Sequence, residues 1–112
     1  HSATVAISRV AGDATREIAT VALCGGSGDF LLPTANAAGA DVYVTSDLKH
    51  HPVSEHLEQQ GACAVIDVPH WAAESTWLPV TADALVRQLP DVATRVSTLV
   101  TDPWAFHTAS QQ

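Results

Sequence analysis

Ala62-Cys63-Ala64-Val65-Ile66-Asp67-Val68-Pro69-His70-Trp71-Ala72-Ala73-Glu74 passes from a strand pattern to a helix pattern with no linker between them. The apolar run to Ile66 ends in an aspartate, and Pro69 then suits the first turn of a helix, where a missing N–H is harmless. A helix starting there puts His70 and Glu74 on one face, with roughly 5–6 Å between their Cβ atoms. An imidazole and a carboxylate so spaced at the carboxyl end of a strand can hold one divalent cation or bridge two. The same i,i+4 pair also occurs as a plain solvated contact, which is its commoner use on helices. Its position favours the metal, because open α/β sheets gather ligands at strand carboxyl ends.

Working outward, further strand and helix patterns alternate. Asp41 to Thr45 (DVYVT) and Ile18 to Cys24 (IATVALC) read as strands, the second buried on both faces, and Ala62 to Val68 as a third. Ala3 to Ser8 (ATVAIS) reads as a short edge strand and Thr94 to Val100 (TRVSTLV) as a last one. Helices are expected from about Phe30 to Ala38, with Gly39 as the cap, and from Pro52 to Gly61. A third runs from His70 to about Trp77, is interrupted at Pro79, and resumes over Ala82 to Leu89. Short loops between alternating elements predict one α/β domain over residues 1–112: three layers, a largely parallel sheet flanked by helices.

A chain of 112 residues is large enough to bury roughly two-thirds of its unfolded surface. Its formal charge of −7, with scattered basic residues, disfavours nucleic-acid binding. No apolar run reaches the length of a membrane span, and no secretory leader pattern is evident. Cys24 and Cys63 each lie in an apolar run and form no CxxC pair, which fits reduced thiols in the cytoplasm. The chain begins at His1 and contains no Met, so something is expected to precede it, whether a tag, an initiator or an N-terminal half.

Three strand-end loops converge in such a fold. The first, Gly25-Gly26-Ser27-Gly28-Asp29, could present backbone N–H groups to an anion or simply make a tight turn; it lacks the spacing of a dinucleotide fingerprint and the lysine of a P-loop. The second, Ser46 to His51, offers Asp47, Lys49, His50 and His51. One imidazole there could act as acid–base, or His50 could be merely exposed and His51 cap the Pro52 helix. His56 reads as structural. The third loop carries His70 and Glu74.

Together the motifs Val21-Ala22-Leu23-Cys24-Gly25-Gly26-Ser27-Gly28, Gly39-Ala40-Asp41-Val42-Tyr43-Val44-Thr45-Ser46-Asp47-Leu48-Lys49-His50-His51 and Val65-Ile66-Asp67-Val68-Pro69-His70 with Glu74 resemble the C-terminal part of the YbgI-like family. These NGG-one-interacting-factor-three-like proteins are often called GTP cyclohydrolase 1 type 2 homologues. The closing Val100-Thr101-Asp102-Pro103-Trp104-Ala105-Phe106 is also similar. The resemblance implies a cytosolic α/β protein with two divalent metal ions (zinc, manganese or iron), assembled as a toroidal hexamer. By the same resemblance His70 and Glu74 are metal ligands, the remaining ligands belong to an N-terminal half outside this sequence, and Asp47, Lys49 and His51 line the site. Ser46 replaces a usual glycine, and Val68-Pro69 replace a small residue and glycine before the histidine.

The expected function is therefore the C-terminal part of a dinuclear metal-dependent hydrolase, inert as this chain alone, acting on a small molecule that can be anionic. A metal-activated water would attack, His51 would shuttle protons, Lys49 would attract the anion, and Gly25, Gly26, Ser27 and Gly28 would cradle it. A non-catalytic oligomerisation or regulatory module is the alternative, suggested by Trp71, Trp77 and Trp104. Nucleotide binding through GGSGD is a third possibility.

Overall fold

A computed structural model describes residues 6–108. Its sheet has four strands: β1 (Arg9–Ala11), β2 (Val21–Ser27), β3 (Val42–Ser46) and β4 (Ala64–Asp67). The order is β1-β4-β3-β2, with β2, β3 and β4 parallel and β1 antiparallel to β4. Helices α1 (Leu32–Ala37, entered through a 3-10 turn at Asp29–Leu31), α2 (His50–Leu57), α3 (His70–Ser75) and α4 (Trp77–Gln88) complete the order. The mostly parallel α/β sheet expected from the sequence is present.

The apolar alternation of the strands sets the core. Tyr43 and Val65 share one face of the sheet with Leu32 and Ala35 of α1, and Val53 of α2 packs against this cluster. The opposite face carries Val42 and Ala64, both buried. Full burial of a Val- or Phe-sized side chain contributes about 1.5–3 kcal/mol, whereas an exposed ion pair contributes about 0–1 kcal/mol. The Arg9–Asp67 pair, whose arginine is largely exposed, is therefore secondary to the ladder that holds β1. At the other end of the sheet Asp41 Oδ2 accepts from the amides of Ala19 and Thr20 at 2.9 and 2.8 Å. These two donors hold its carboxyl below the usual range and take Ile18, Ala19 and Thr20 out of the expected strand, so β2 starts at Val21 and runs on through Gly25, Gly26 and Ser27.

Several expected boundaries are corrected. Ala6 to Ser8 are not in a strand, Ala3 to Val5 lie outside the described residues, and the first strand is Arg9–Ala11. Thr94 to Val100 form no strand. Their alternation supplies an apolar face, but strand geometry needs a neighbour's backbone, and among the described residues none pairs with them. The helix after β4 breaks at Thr76, where the Ser75 and Thr76 hydroxyls donate to the carbonyls of Ala72 and Ala73 at 3.1 and 2.7 Å. Pro79 does not interrupt α4, because it stands in the first turn, where no intrahelical partner is lost. The radius of gyration, 17.0 Å, exceeds the roughly 13 Å of a compact chain of this length, and the segment after α4 is mostly exposed.

Between α1, α2 and β4 lies a buried polar knot. His56, 6% exposed, places Nε2 at 2.8 Å from the Cys63 carbonyl and Nδ1 at 3.3 Å from the Asn36 amide nitrogen. Asn36 Oδ1 in turn accepts from the Cys63 amide at 2.9 Å. These partners assign a neutral ring protonated on Nε2, a structural role as expected. Burial pushes the Cys63 thiol up, so it stays protonated and unreactive. His56→Leu should lower unfolding free energy by about 1–3 kcal/mol, since a buried carbonyl loses its donor; an unchanged urea midpoint would remove the knot from the stability account.

Candidate metal-binding site

Parallel pairing puts the carboxyl ends of β2, β3 and β4 on one rim. α3 begins directly beyond β4, with Pro69 as the residue before its first turn, and the Ala73 amide returns to the Pro69 carbonyl at 2.9 Å. This start sets His70 and Glu74 on one face: His70 Nε2 and Glu74 Oε1 are 3.0 Å apart. Beyond β3 the chain turns at Asp47, which has a left-handed backbone at φ 56°, a conformation aspartate tolerates better than most residues. That turn brings Asp47 Oδ2 to 2.6 Å from His70 Nδ1. One imidazole thus spans two carboxylates from different strand ends.

The third wall is β2. Gly26 has φ 73°, and a Cβ there would stand 3.2 Å from Glu74 Oε1 and 3.9 Å from His70 Nε2. Only glycine combines that conformation with so close an approach. Two side chains of β3 hold the strand end in place. Thr45 Oγ1 donates to the Gly26 carbonyl at 3.0 Å and the Tyr43 hydroxyl to the Gly28 carbonyl at 2.7 Å. A Cβ on Gly28 would run into both. Sequence reasoning missed Tyr43 and Thr45, although their i,i+2 spacing already put them on one face of β3.

The other residues named from the sequence are placed differently. α2 begins at His50, not at Pro52, and Pro52 fits within its first turn, so His51 is a helical residue and not the cap. The cap position belongs to Lys49, without a side-chain bond. The rings of His50 and His51 meet edge-on, 5.0 Å between centroids. Lys49 and His50 line a recess of about 300 Å³ with Arg9, Val53 and Leu57. Asp47 and His70 line a separate cleft of about 690 Å³ with Arg9, Trp71, Trp104 and Phe106. Neither Lys49 nor His51 is among that cleft's lining residues.

Among the described residues, no group of three or more His, Cys, Asp or Glu side chains converges as a metal cluster. The pair itself has the right dimension. Zinc–nitrogen and zinc–oxygen bonds of about 2.0–2.2 Å put neighbouring donors roughly 2.9–3.5 Å apart, and the observed separation is 3.0 Å. Asp47 on the other ring nitrogen has the place of the carboxylate that orients a metal-bound imidazole. Imidazole with carboxylate suits zinc, manganese or iron.

The chain matches the family Duf34/NIF3 (NGG1p interacting factor 3) over residues 2–103. It belongs to that family. A GTP cyclohydrolase 1 type 2 homolog of Streptomyces coelicolor is 45% identical over 106 residues, covering 91% of this chain and 37% of that protein. A Mycobacterium tuberculosis protein of the same name is 45% identical over 97 residues, with 86% and 25% covered. This NIF3-family chain therefore spans well under half the length of the curated relatives it matches. In the crystal structure of a Bacillus cereus protein related to NIF3, the matching region superposes with a TM-score of 0.78 at 28% identity, covering 89% of this chain and 28% of that one.

The hydrogen bond to Asp47, followed by the charge of Glu74, raises the His70 pKa above its ordinary value of 6.5. A raised pKa means the proton-linked stability is present at low pH and is lost as pH climbs through the folded value. Exposure of the ring, 40%, screens that contribution. In metal-free protein the His70 ring resonances should titrate above 6.5, and Asp47→Asn should bring the midpoint down. An NMR titration in which the two proteins share one midpoint would dissolve the pair.

Proposed function

We propose that the chain supplies His70 and Glu74 to a dinuclear divalent-metal centre whose other ligands lie outside the described residues, in a cytoplasmic metal-dependent hydrolase. The observation that carries this reading is the 3.0 Å separation of Nε2 and Oε1, with Asp47 behind the ring. When bound, the cations would supply Lewis-acid polarisation of the bond to be cleaved. The protein's own part is to present the Nε2 lone pair. Asp47 keeps the ring proton on Nδ1, Gly26 leaves room for the Glu74 carboxylate, and Thr45 and Tyr43 fix the β2 end. Two ligands fall short of the three usual in catalytic zinc sites, so the chain alone should bind metal weakly and be inert.

The same reading carries the remaining expectations as proposals: a small substrate that can be anionic, with Lys49 and His51 acting from the α2 start and the Gly25–Gly28 backbone meeting the anion. It also carries a toroidal hexamer and a third layer over the second sheet face. His70→Ala and Glu74→Ala in the full-length protein, incubated with zinc, manganese or iron(II) and desalted, should each lose at least half the bound metal by elemental analysis. Equal metal content in variants and parent defeats the ligand assignment.

A second reading, a non-catalytic oligomerisation module, draws on Val21 and Leu23. Both lie on the edge strand and are 56% and 76% exposed, and such apolar edge surface is commonly covered by another chain. Light scattering after size exclusion decides it: a strict monomer at high concentration removes its support.

A further inference from the structure

The cleft beside His70 has a wall that the metal reading does not use. The segment after α4 returns to the site at Asp102, whose Oδ1 accepts from the Trp104 amide at 3.1 Å, the local turn by which aspartate fixes a following chain direction. Trp104 and Phe106, two residues apart, both line the cleft. They are 77% and 82% exposed, so their rings are open to an incoming group. Trp71, in the first turn of α3, and Ile7 line the same space. Single exposed aromatics are ordinary, but several around one concavity of about 690 Å³ have the dimensions and character of a small-molecule site.

The polar lining narrows the occupant. Asp47, Asp67 and Asp102 border the cleft, and Arg9 is its one permanently charged cation among the described residues. Arg9 is already engaged, its Nε 3.0 Å from Asp67 Oδ2 and its Nη2 3.2 Å from the Leu48 carbonyl. No uncommitted arginine or lysine remains in this lining to meet a phosphate, and the His70 ring is held between Asp47 and Glu74. Asp67 is taken by Arg9 and the Leu48 amide, whereas Asp47 Oδ1 and Asp102 Oδ2 carry no hydrogen bond among the described residues and are left to accept from ring or amino N–H groups. Flat rings gain from stacking on indole and phenyl faces, and positive charge adds to that gain.

We propose that this cleft binds a flat, uncharged or cationic nitrogen heterocycle, stacked on the Trp104–Phe106 wall with its N–H edge toward Asp47. The claim adjoins the proposed metal pair but does not need a metal, so it is measured with chelator present and stands apart from the metal-content result. Calorimetry on the full-length protein would use adenosine, cytidine and the N-methylnicotinamide cation, with ribose and adenosine 5′-monophosphate as controls. At least one of the three rings should bind saturably, ribose should not, and the monophosphate should bind more weakly than adenosine at low salt.

Trp104→Ala should weaken binding about ten- to hundredfold, the usual range for losing one stacking partner, and Trp104→Phe should restore most of it. Trp77→Ala removes a half-exposed indole that is not in the cleft lining and should change nothing. Absence of saturable binding by all three rings overturns the proposal. So does a Trp104→Ala variant with altered sedimentation but undiminished affinity, which would make the wall a subunit contact.

Discussion

Pairing of β3 with β2 on one side and β4 on the other is the constraint from which the site follows. Because all three strands run the same way, their carboxyl ends share one rim, and each delivers one component there. β2 brings a glycine, β3 an aspartate held by its turn, and β4 a helix that opens on a histidine. No two of the three are close in sequence without the sheet. The core that fixes the register, Tyr43 and Val65 under α1 and α2, is thus also what holds His70 and Asp47 within hydrogen-bond distance.

β3 has a double part in this. Its side chains alternate between faces, and Tyr43 and Thr45 use their hydroxyls on the carbonyls of Gly28 and Gly26. A strand that carries core packing therefore also locks the neighbouring strand end where Glu74 needs space. The glycines in that end fit this arrangement: one occupies a left-handed conformation facing Glu74, and the other leaves room for two hydroxyls. Whatever ligand chemistry occurs there, their first effect is steric.

Much of this could be read from the sequence where periodicity and punctuation agree. The β3 and β4 runs and the His70 start behind Pro69 were legible because a β-branched stretch ends at a proline or a polar turn. The i,i+4 relation of His70 and Glu74 followed from helix geometry alone. What was not legible depended on partners distant in sequence. Ile18 to Thr20 look like strand, but the amides of Ala19 and Thr20 donate to Asp41. Thr94 to Val100 has a strand's alternation without a strand's neighbour. The positive φ of Asp47 and the return of Trp104 to the His70 cleft have no local signature, since both arise from the turn geometry and path of the assembled chain.

The outer rim of β2 has a colloidal consequence. Among the described residues it is the last rung of the sheet, with one line of amide and carbonyl groups facing no strand and two exposed apolar side chains, Val21 and Leu23, beside it. Such an edge is a template for pairing with an identical molecule. The opposing force is their like charge: with a formal −7 per chain, approach of two copies is repulsive over about a Debye length, near 10 Å at 0.1 M salt. Dispersal of this chain in solution is accordingly a balance between an unfinished sheet and an acidic surface, and added salt or a fall toward the isoelectric point near 5.0 tips it toward association.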